Sequence, residues 1–562
     1  MSGLTLLASS DFSEPQLWLC IKGEFHNEIF VLQINESSII GKKRYTCYEN
    51  IPYAAFYKIA YAEPPLKELR FKPPKGLRKL SPTTTYDFSE EHNLTDYGLI
   101  EDCLHLSVYK PLSKEDPFSF PVAVWIHENS NYHGPDFFLE ENILVVAVSF
   151  RTSIFGFLNT GDDFAKGNMA AKDVLMALRW IRENIHLFNG DLNKVTVFGS
   201  GIGANIVASL LVSSAADDLF TRLIIHDGSA LAPINYGKYN LQVVNKLYNR
   251  IFKFKKFKLN KLYRYLNEAP AENLLLISRN LFDSSEIRNN QRLTSAFRCV
   301  VEIDKKGSFM NKHPLEVYKR KLANYNVDVM FGYTNLQALL KLKHFINNRK
   351  LLKYLNYNFQ YLVPLYGRTD EYNSKRYNSI QQKIMSFYFI NGTITERSLR
   401  RYVKYHSDQV IYPILRQARL HSEGSRGNVF LYRFLYNGGF NANWRTLPKL
   451  GWSGATSGDE ICYQFKCKST DDMYSDPKFV QEKRFIKIYT KLLANFIKHG
   501  NPILKSHDNM LEGLTWEPLH VKQTLKVFNL GKKLKNTNLP ESKRICFWDN
   551  LNDDFFNDVE SF

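Results

Sequence analysis

Two hydrophobic patterns alternate along this chain: short runs that are apolar throughout, and longer stretches in which apolar residues recur every three or four positions. Phe120-Pro-Val-Ala-Val-Trp-Ile126 and Ile143-Leu-Val-Val-Ala-Val-Ser149 are runs of the first kind, expected of strands buried on both faces. Cys103-Leu-His-Leu-Ser-Val-Tyr109 has the period of two of a strand, and Ile29-Phe-Val-Leu-Gln-Ile34 marks a region, 17–40, of one or two early strands. From Met169 to Phe188 the residues Val174, Leu175, Leu178, Ile181 and Ile185 share one helical face, and Val195-Thr-Val-Phe198 follows as a strand. A glycine turn, a helix over 206–212 and a strand at Leu223-Ile-Ile225 continue the alternation. The order strand, helix, strand predicts an α/β fold with a large, mostly parallel central sheet covered by helices on both faces.

The segments 235–325 and 337–416 read as helical, basic and aromatic excursions over that sheet. Val429-Phe-Leu-Tyr-Arg-Phe434 returns as a strand, 484–497 as an amphipathic helix, and Leu525-Lys-Val-Phe528 as a late edge strand. The Pro-containing stretch from Ile51 through Pro73-Pro74 carries no element assignment. With no internal repeat or dividing linker, residues 32–562 are expected to form a single domain behind an N-terminal extension, 1–31.

A chain of 562 residues, 44% hydrophobic and 14% aromatic, has ample material for a large core, which excludes a disordered class. Lys plus Arg is 74 against 56 for Asp plus Glu, a formal net charge of +18 that favours acidic neighbours without naming one. The excess is dense over 246–265, where Lys253, Lys255, Lys256 and Lys258 interleave with Phe252, Phe254 and Phe257. One reading is a helix packed through Leu247, Ile251 and Phe254 with its lysines in water. The alternatives are an anionic membrane surface and, less favoured, nucleic acid. A second basic run covers Lys341, Lys343, Arg349, Lys350 and Lys353.

The N-terminus lacks a positive n-region and its apolar run meets Asp11, and no stretch approaches the roughly 18 apolar residues of a spanning helix, so an intracellular, cytoplasmic protein is expected. Seven scattered cysteines, an odd number, are expected to be free thiols. Cys462 and Cys467 lie close together, but no histidine or second cysteine pair nearby makes a zinc set. Neither a metal nor a cofactor is expected.

Chemistry concentrates in Val195-Thr-Val-Phe-Gly-Ser-Gly-Ile-Gly-Ala-Asn205, a strand, a sharp turn and a helix start in which Gly199 and Gly203 flank Gly201. Around it stand Ile51-Pro-Tyr-Ala, Leu69-Arg-Phe-Lys-Pro-Pro74, Glu101-Asp-Cys-Leu-His-Leu-Ser-Val-Tyr109, Val124-Trp-Ile-His127, Gly156-Phe-Leu158, Ala177-Leu-Arg-Trp-Ile-Arg-Glu-Asn184, Phe188-Asn-Gly-Asp191 and Gly228-Ser-Ala-Leu-Ala-Pro233. Together these resemble the type B carboxylesterase and cholinesterase group of α/β-hydrolases, most closely the intracellular insect α-esterases, over nearly the whole chain from about residue 32.

The resemblance implies an α/β-hydrolase fold and a Ser-Glu-His triad, and it is at the triad that the chain departs. The nucleophile position of G-x-S-x-G is Gly201. The acid of a G-x-T-x-x-E segment falls on Gln337, and the histidine of a G-x-x-H segment on Ser457. The glycine-rich donor loop reads His127-Glu128-Asn129-Ser130, so Glu128 and Asn129, with Ile202 after the turn, stand at the oxyanion positions. A carboxylate there would oppose the charge of a tetrahedral intermediate. The expectation is a carboxylesterase-like protein without catalysis, a pseudoenzyme binding an unknown protein or a hydrophobic small molecule. One alternative is a hydrolase with a displaced nucleophile, Ser200 being the candidate with His127, His133 or His226 and Asp227 near it. Another is a protein that sequesters hydrophobic esters or lipids.

Overall fold

Along each apolar strand, residues of opposite parity enter two different cores. Val122, Val124 and Ile126 join one cluster while Ala123 and Trp125 join the other, and Leu223 and Ile225 are likewise separated from Ile224. A strand wetted on neither face has no use for polar residues, and hence reads as a continuous apolar run. The computed structural model describes residues 29–34, 37–77, 86–87, 101–112, 119–127, 133–232, 236–237, 241–253, 256–279, 281, 296–303, 307–344, 352–353, 356–357, 359, 375–447, 451–504, 510–520 and 524–555.

The main sheet contains, in chain order, β1 (Ile29–Ile34), β2 (Ser37–Tyr45), β3 (Pro52–Ala60), β4 (Tyr86–Asp87), β5 (His105–Pro111), β6 (Phe120–Ile126), β7 (Leu144–Val148), β8 (Gly190–Ser200), β9 (Arg222–His226), β10 (Asp328–Thr334), β11 (Val429–Phe434), β12 (Lys526–Leu530) and β13 (Lys535–Asn538). Their spatial order is β1-β2-β3-β5-β7-β6-β8-β9-β10-β11-β12-β13, with β4 beside β2. From β7 through β12 every pairing is parallel, and antiparallel strands close both ends. The expected α/β-hydrolase architecture is thus present, its parallel strands buried at the centre.

Helices α1 (Met169–Asn184), α2 (Ile202–Leu210), α3 (Leu241–Phe252), α4 (Leu259–Glu268), α5 (Leu399–Ser422), α6 (Val480–His499) and α7 (Ser542–Phe555) cover this sheet and its loops. Val174, Leu178 and Ile181 of α1, Ile206 of α2 and Ile411 and Ile414 of α5 fill one face. Phe485, Tyr489, Leu492 and Leu493 of α6 fill the other.

Several elements differ from their sequence-based expectations. The sheet begins at Ile29, ahead of a domain start at residue 32. Lys526–Leu530 is not an edge strand, because β13 pairs along it. Strand β3 escapes a reading of its proline as a breaker because Pro52 sits at the first strand position, where a missing N–H is tolerated. Strand β10 falls in the unassigned gap between the two stretches read as helical.

The basic segment is two helices, α3 and α4, separated where Lys253 takes a positive φ of 50°. Val243, Val244, Leu247, Leu262 and Leu266 bury against Phe71 and Phe155 in a third core, while Lys253, Lys256 and Lys258 project into solvent beside an exposed Phe257. Lys255 and Phe254 lie outside the described residues, as do Arg349 and Lys350 of the second run. Two of the quoted motifs meet here. Arg70 makes a two-pronged pair with Glu101 at 2.6 and 2.8 Å and donates to the carbonyls of Leu266 and Ala269, pinning the end of α4. Among the described residues, no helix is long and apolar enough to cross a membrane.

The expectation of free thiols is corrected at one pair: Cys462 and Cys467 form a disulfide, their Cα atoms 5.3 Å apart. The chain folds back because the Tyr474 hydroxyl donates to Cys462 O and accepts from Cys467 N, and a spacing of five residues carries no such information. Among the described residues Cys47, Cys103, Cys299 and Cys546 are free. In an unreduced digest, cleavage after Lys466 should therefore release two peptides joined by the Cys462–Cys467 bond. Mass spectrometry finding them separate, with both thiols alkylated in the folded protein, would contradict this assignment.

Candidate functional site

Strand β8 ends at Ser200, Gly201 takes φ 59° and ψ −121°, and α2 begins at Ile202, a reversal completed within one residue. That backbone region is nearly closed to residues with a Cβ. The turn is held by Gly201 N donating to His226 O at 3.1 Å and Asn205 N donating to Gly201 O at 3.2 Å. Its neighbours are glycines for a packing reason. A Cβ on Gly203 would lie 2.1 Å from the Ile126 carbonyl of β6, and one on Gly199 would lie 2.7 Å from the Gly203 backbone. The turn crosses β6 at backbone contact distance, which sets its height above the sheet.

The in-register neighbours Ser200, His226 and Gly332 bring the carboxyl ends of β8, β9 and β10 together, the edge where open α/β sheets place their ligands. Gln337 follows β10 in a half-buried loop, and its carbonyl accepts from Ser457 N at 3.4 Å and from Thr456 Oγ1 at 3.2 Å. Positions 337 and 457 are thus side by side. The loop carrying Ser457 is shaped by Asp459, whose carboxylate accepts from the backbone N–H groups of Asn443, Trp444 and Thr456. Burial pushes the Asp459 carboxyl up to about 6.

Ser200, half-buried, donates to Glu460 Oε1 at 2.6 Å. Glu460 Oε2 lies 3.4 Å from His226 Nε2, and Asp227 Oδ2 lies 3.7 Å from the same nitrogen. His226 Nδ1 is 2.7 Å from the Tyr432 hydroxyl, and Thr334 donates to both Asp227 oxygens from its backbone N–H and its hydroxyl, each at 2.9 Å. Burial disfavours charge on His226, but Glu460 and Asp227 outweigh it and raise the pKa. Burial likewise pushes Glu460 up, yet His226 and the Ser200 hydroxyl hold it below the usual carboxylate range. Asp227 is raised by burial.

Of the candidate groups, the fold gathers Ser200, His226 and Asp227, but the serine hydroxyl donates to the Glu460 carboxylate and not to a histidine. The His127 ring stacks on Trp125 at 6.4 Å, and His133 lies on a two-residue strand paired with Lys466–Cys467. Ile202 opens α2 with its side chain exposed. Glu128 and Asn129 lie outside the described residues. Glu460, Tyr432 and Thr334 are the members that sequence reasoning did not single out. The signal for Glu460 was the acidic pair Asp459-Glu460 that closes the segment Gly454–Glu460, the same segment in which the resemblance places Ser457.

The pattern of the family described as carboxylesterase family matches residues 29–548. The chain is 28% identical to a venom carboxylesterase-6 of Apis mellifera over 411 residues, 68% of this chain and 71% of that one. It is 24% identical to a juvenile hormone esterase of Tribolium castaneum over 534 residues, 86% of this chain and 85% of that one. The solved structure of a juvenile hormone esterase from Manduca sexta, with OTFP covalently attached, superposes with a TM-score of 0.75 at 23% identity, covering 94% of this chain and 100% of that one. That last likeness concerns the fold.

The turn's conformation carries a test of its own. Gly201→Ala should lower the unfolding free energy in urea by about 1–3 kcal/mol, the cost of a Cβ in this region. An unchanged midpoint and slope would show that the turn relaxes out of φ 59° at no cost.

Proposed function

The chain belongs to the carboxylesterase family, and on that premise we propose that it does not turn over esters and acts through binding at the inherited site or at its surface. One observation carries this reading: the turn that presents a nucleophile keeps its form while its central residue, Gly201, has no side chain. Around it, Gln337 and Ser457 stand at the positions the resemblance gives to the acid and the base. Gln337 carries no charge to stabilise an imidazolium, and Ser457 is no general base near neutral pH. Loss of the nucleophile alone costs about a millionfold in kcat in a comparable triad, and the members act as a unit.

A displaced nucleophile is disfavoured by the same geometry. The Ser200 hydroxyl proton is directed at Glu460, and a carboxylate held below its usual range is a poor base for an alcohol. A buried carboxylate directly behind the turn also opposes negative charge developing there.

The purified full chain should hydrolyse short-chain naphthyl and nitrophenyl esters no faster than buffer, while a fluorescent hydrophobic ester should bind saturably and be displaced by its unlabelled form. Gly201→Ser alone should remain without turnover, and Gly201→Ser with Gln337→Glu, Ser457→His and Glu128→Gly should acquire it slowly, Glu460 still opposing charge on the intermediate. Wild-type turnover that disappears in Ser200→Ala would overturn the reading in favour of a relocated nucleophile.

A further inference from the structure

The group His226, Asp227 and Glu460 is fully buried, yet it is incomplete as a hydrogen-bonded cluster. Neither His226 Nε2 nor Glu460 Oε2 has an aligned hydrogen-bond partner among the described residues, although the two atoms face each other at 3.4 Å. Buried polar atoms are rarely left so. With Asp227, whose Oδ2 lies 3.7 Å from the same nitrogen, these residues offer one nitrogen and two carboxylate oxygens within 4.8 Å of one another. We propose that these three atoms are the ligands of a small divalent transition-metal ion, zinc by its donor set, seated behind the Gly201 turn.

The geometry fits first. Zinc bonds of about 2.0–2.2 Å in a tetrahedron place neighbouring donors about 3.3–3.6 Å apart. The distances from Nε2 to the two carboxylates, 3.4 and 3.7 Å, are close to such edges and too long and misaligned for good hydrogen bonds.

The backbone fits next. Consecutive residues at a strand end point to opposite sides, so His226 and Asp227 would ordinarily diverge. Asp227 instead adopts φ 56°, and its side chain joins that of His226. Aspartate is one of the few residues other than glycine that adopts this conformation readily, and here it turns the carboxylate toward the imidazole.

The outer contacts are those of a ligand set. In the tautomer that carries its proton on Nδ1, 2.7 Å from the Tyr432 hydroxyl, His226 presents the Nε2 lone pair to the space between two carboxylates, as a metal-bound histidine does. Asp227 is oriented by both donors of Thr334, and Glu460 by the Ser200 hydroxyl on its other oxygen. Charge also balances. A neutral imidazole and two carboxylates cancel a divalent ion, whereas an imidazolium with the same carboxylates leaves a buried negative charge. Ser200, the half-buried member, marks the side from which an ion enters and from which a water completes the coordination. The ion would tie the end of β9 to the loop 454–460, a role independent of whether esters are turned over.

The test uses untagged full-length protein prepared without chelators. Elemental analysis should find about one zinc per chain, and adding zinc to the stripped protein should raise its melting temperature by several degrees. Glu460→Gln should weaken zinc binding at least about 100-fold. Because that variant can fail to fold, zinc-soaked wild-type crystals provide the independent reading: an anomalous peak should stand between His226 Nε2, Asp227 Oδ2 and Glu460 Oε2. A peak elsewhere, or none together with an unchanged melting temperature, would overturn the proposal, and would leave the ester-hydrolysis result untouched.

Discussion

The site depends on one steric constraint, the passage of the 199–203 turn over β6 at backbone contact distance. With the Ile126 carbonyl 2.1 Å from where a Gly203 Cβ would lie, and the Gly203 backbone 2.7 Å from where a Gly199 Cβ would lie, the height and direction of the reversal are set by backbone contact. Everything above the sheet takes its place from that crossing. Helix α2 starts there, Gly201 is held against β9, and Ser200 is delivered to Glu460 from a position 260 residues away in sequence. The turn's form is therefore a packing requirement of the fold and persists whatever residue sits at its apex.

This separation of form from chemistry accounts for the electrostatics of the site. Around a glycine apex the polar groups are directed inward: the hydroxyl of Ser200 to a carboxylate, the oxygens of Asp227 to Thr334, an imidazole edge to two acids. They bind strand ends and a loop to one another. The loop 454–460 is also anchored by Asp459, Gln337 and, a few residues on, the Cys462–Cys467 bond. The loop is thus anchored at the point where family architecture usually holds a reacting serine.

How much of this could be read from residues alone follows from the range of each interaction. Strands β6 and β11 were legible to the residue because burial on both faces makes an unbroken apolar run, and α1 because its stripe repeats at helical period. Strand β3 was lost to its leading proline and β10 was left unassigned between two helical stretches, both decided by partners elsewhere in the chain. At the site, the glycine spacing and the identities at 201, 337 and 457 were plain in the sequence. The bond from Ser200 to Glu460, the role of Tyr432 and the rotation of Asp227 were not, since no local pattern encodes a contact across 260 residues or a positive φ in an aspartate. The disulfide belongs to the same class: Tyr474, not cysteine spacing, brings the two sulfurs together.

The most direct measurement of the central claim is the intact mass of the native protein after prolonged exposure to an excess of a fluorophosphonate, a reagent that reports an activated serine whatever its natural substrate. An unchanged mass is the result this account requires, since Gly201 offers no oxygen and the hydroxyl of Ser200 is bonded to Glu460. A stoichiometric adduct, mapped to Ser200 or to any other serine at the carboxyl edge of the sheet, would contradict it and show that the chemistry had moved with the fold intact.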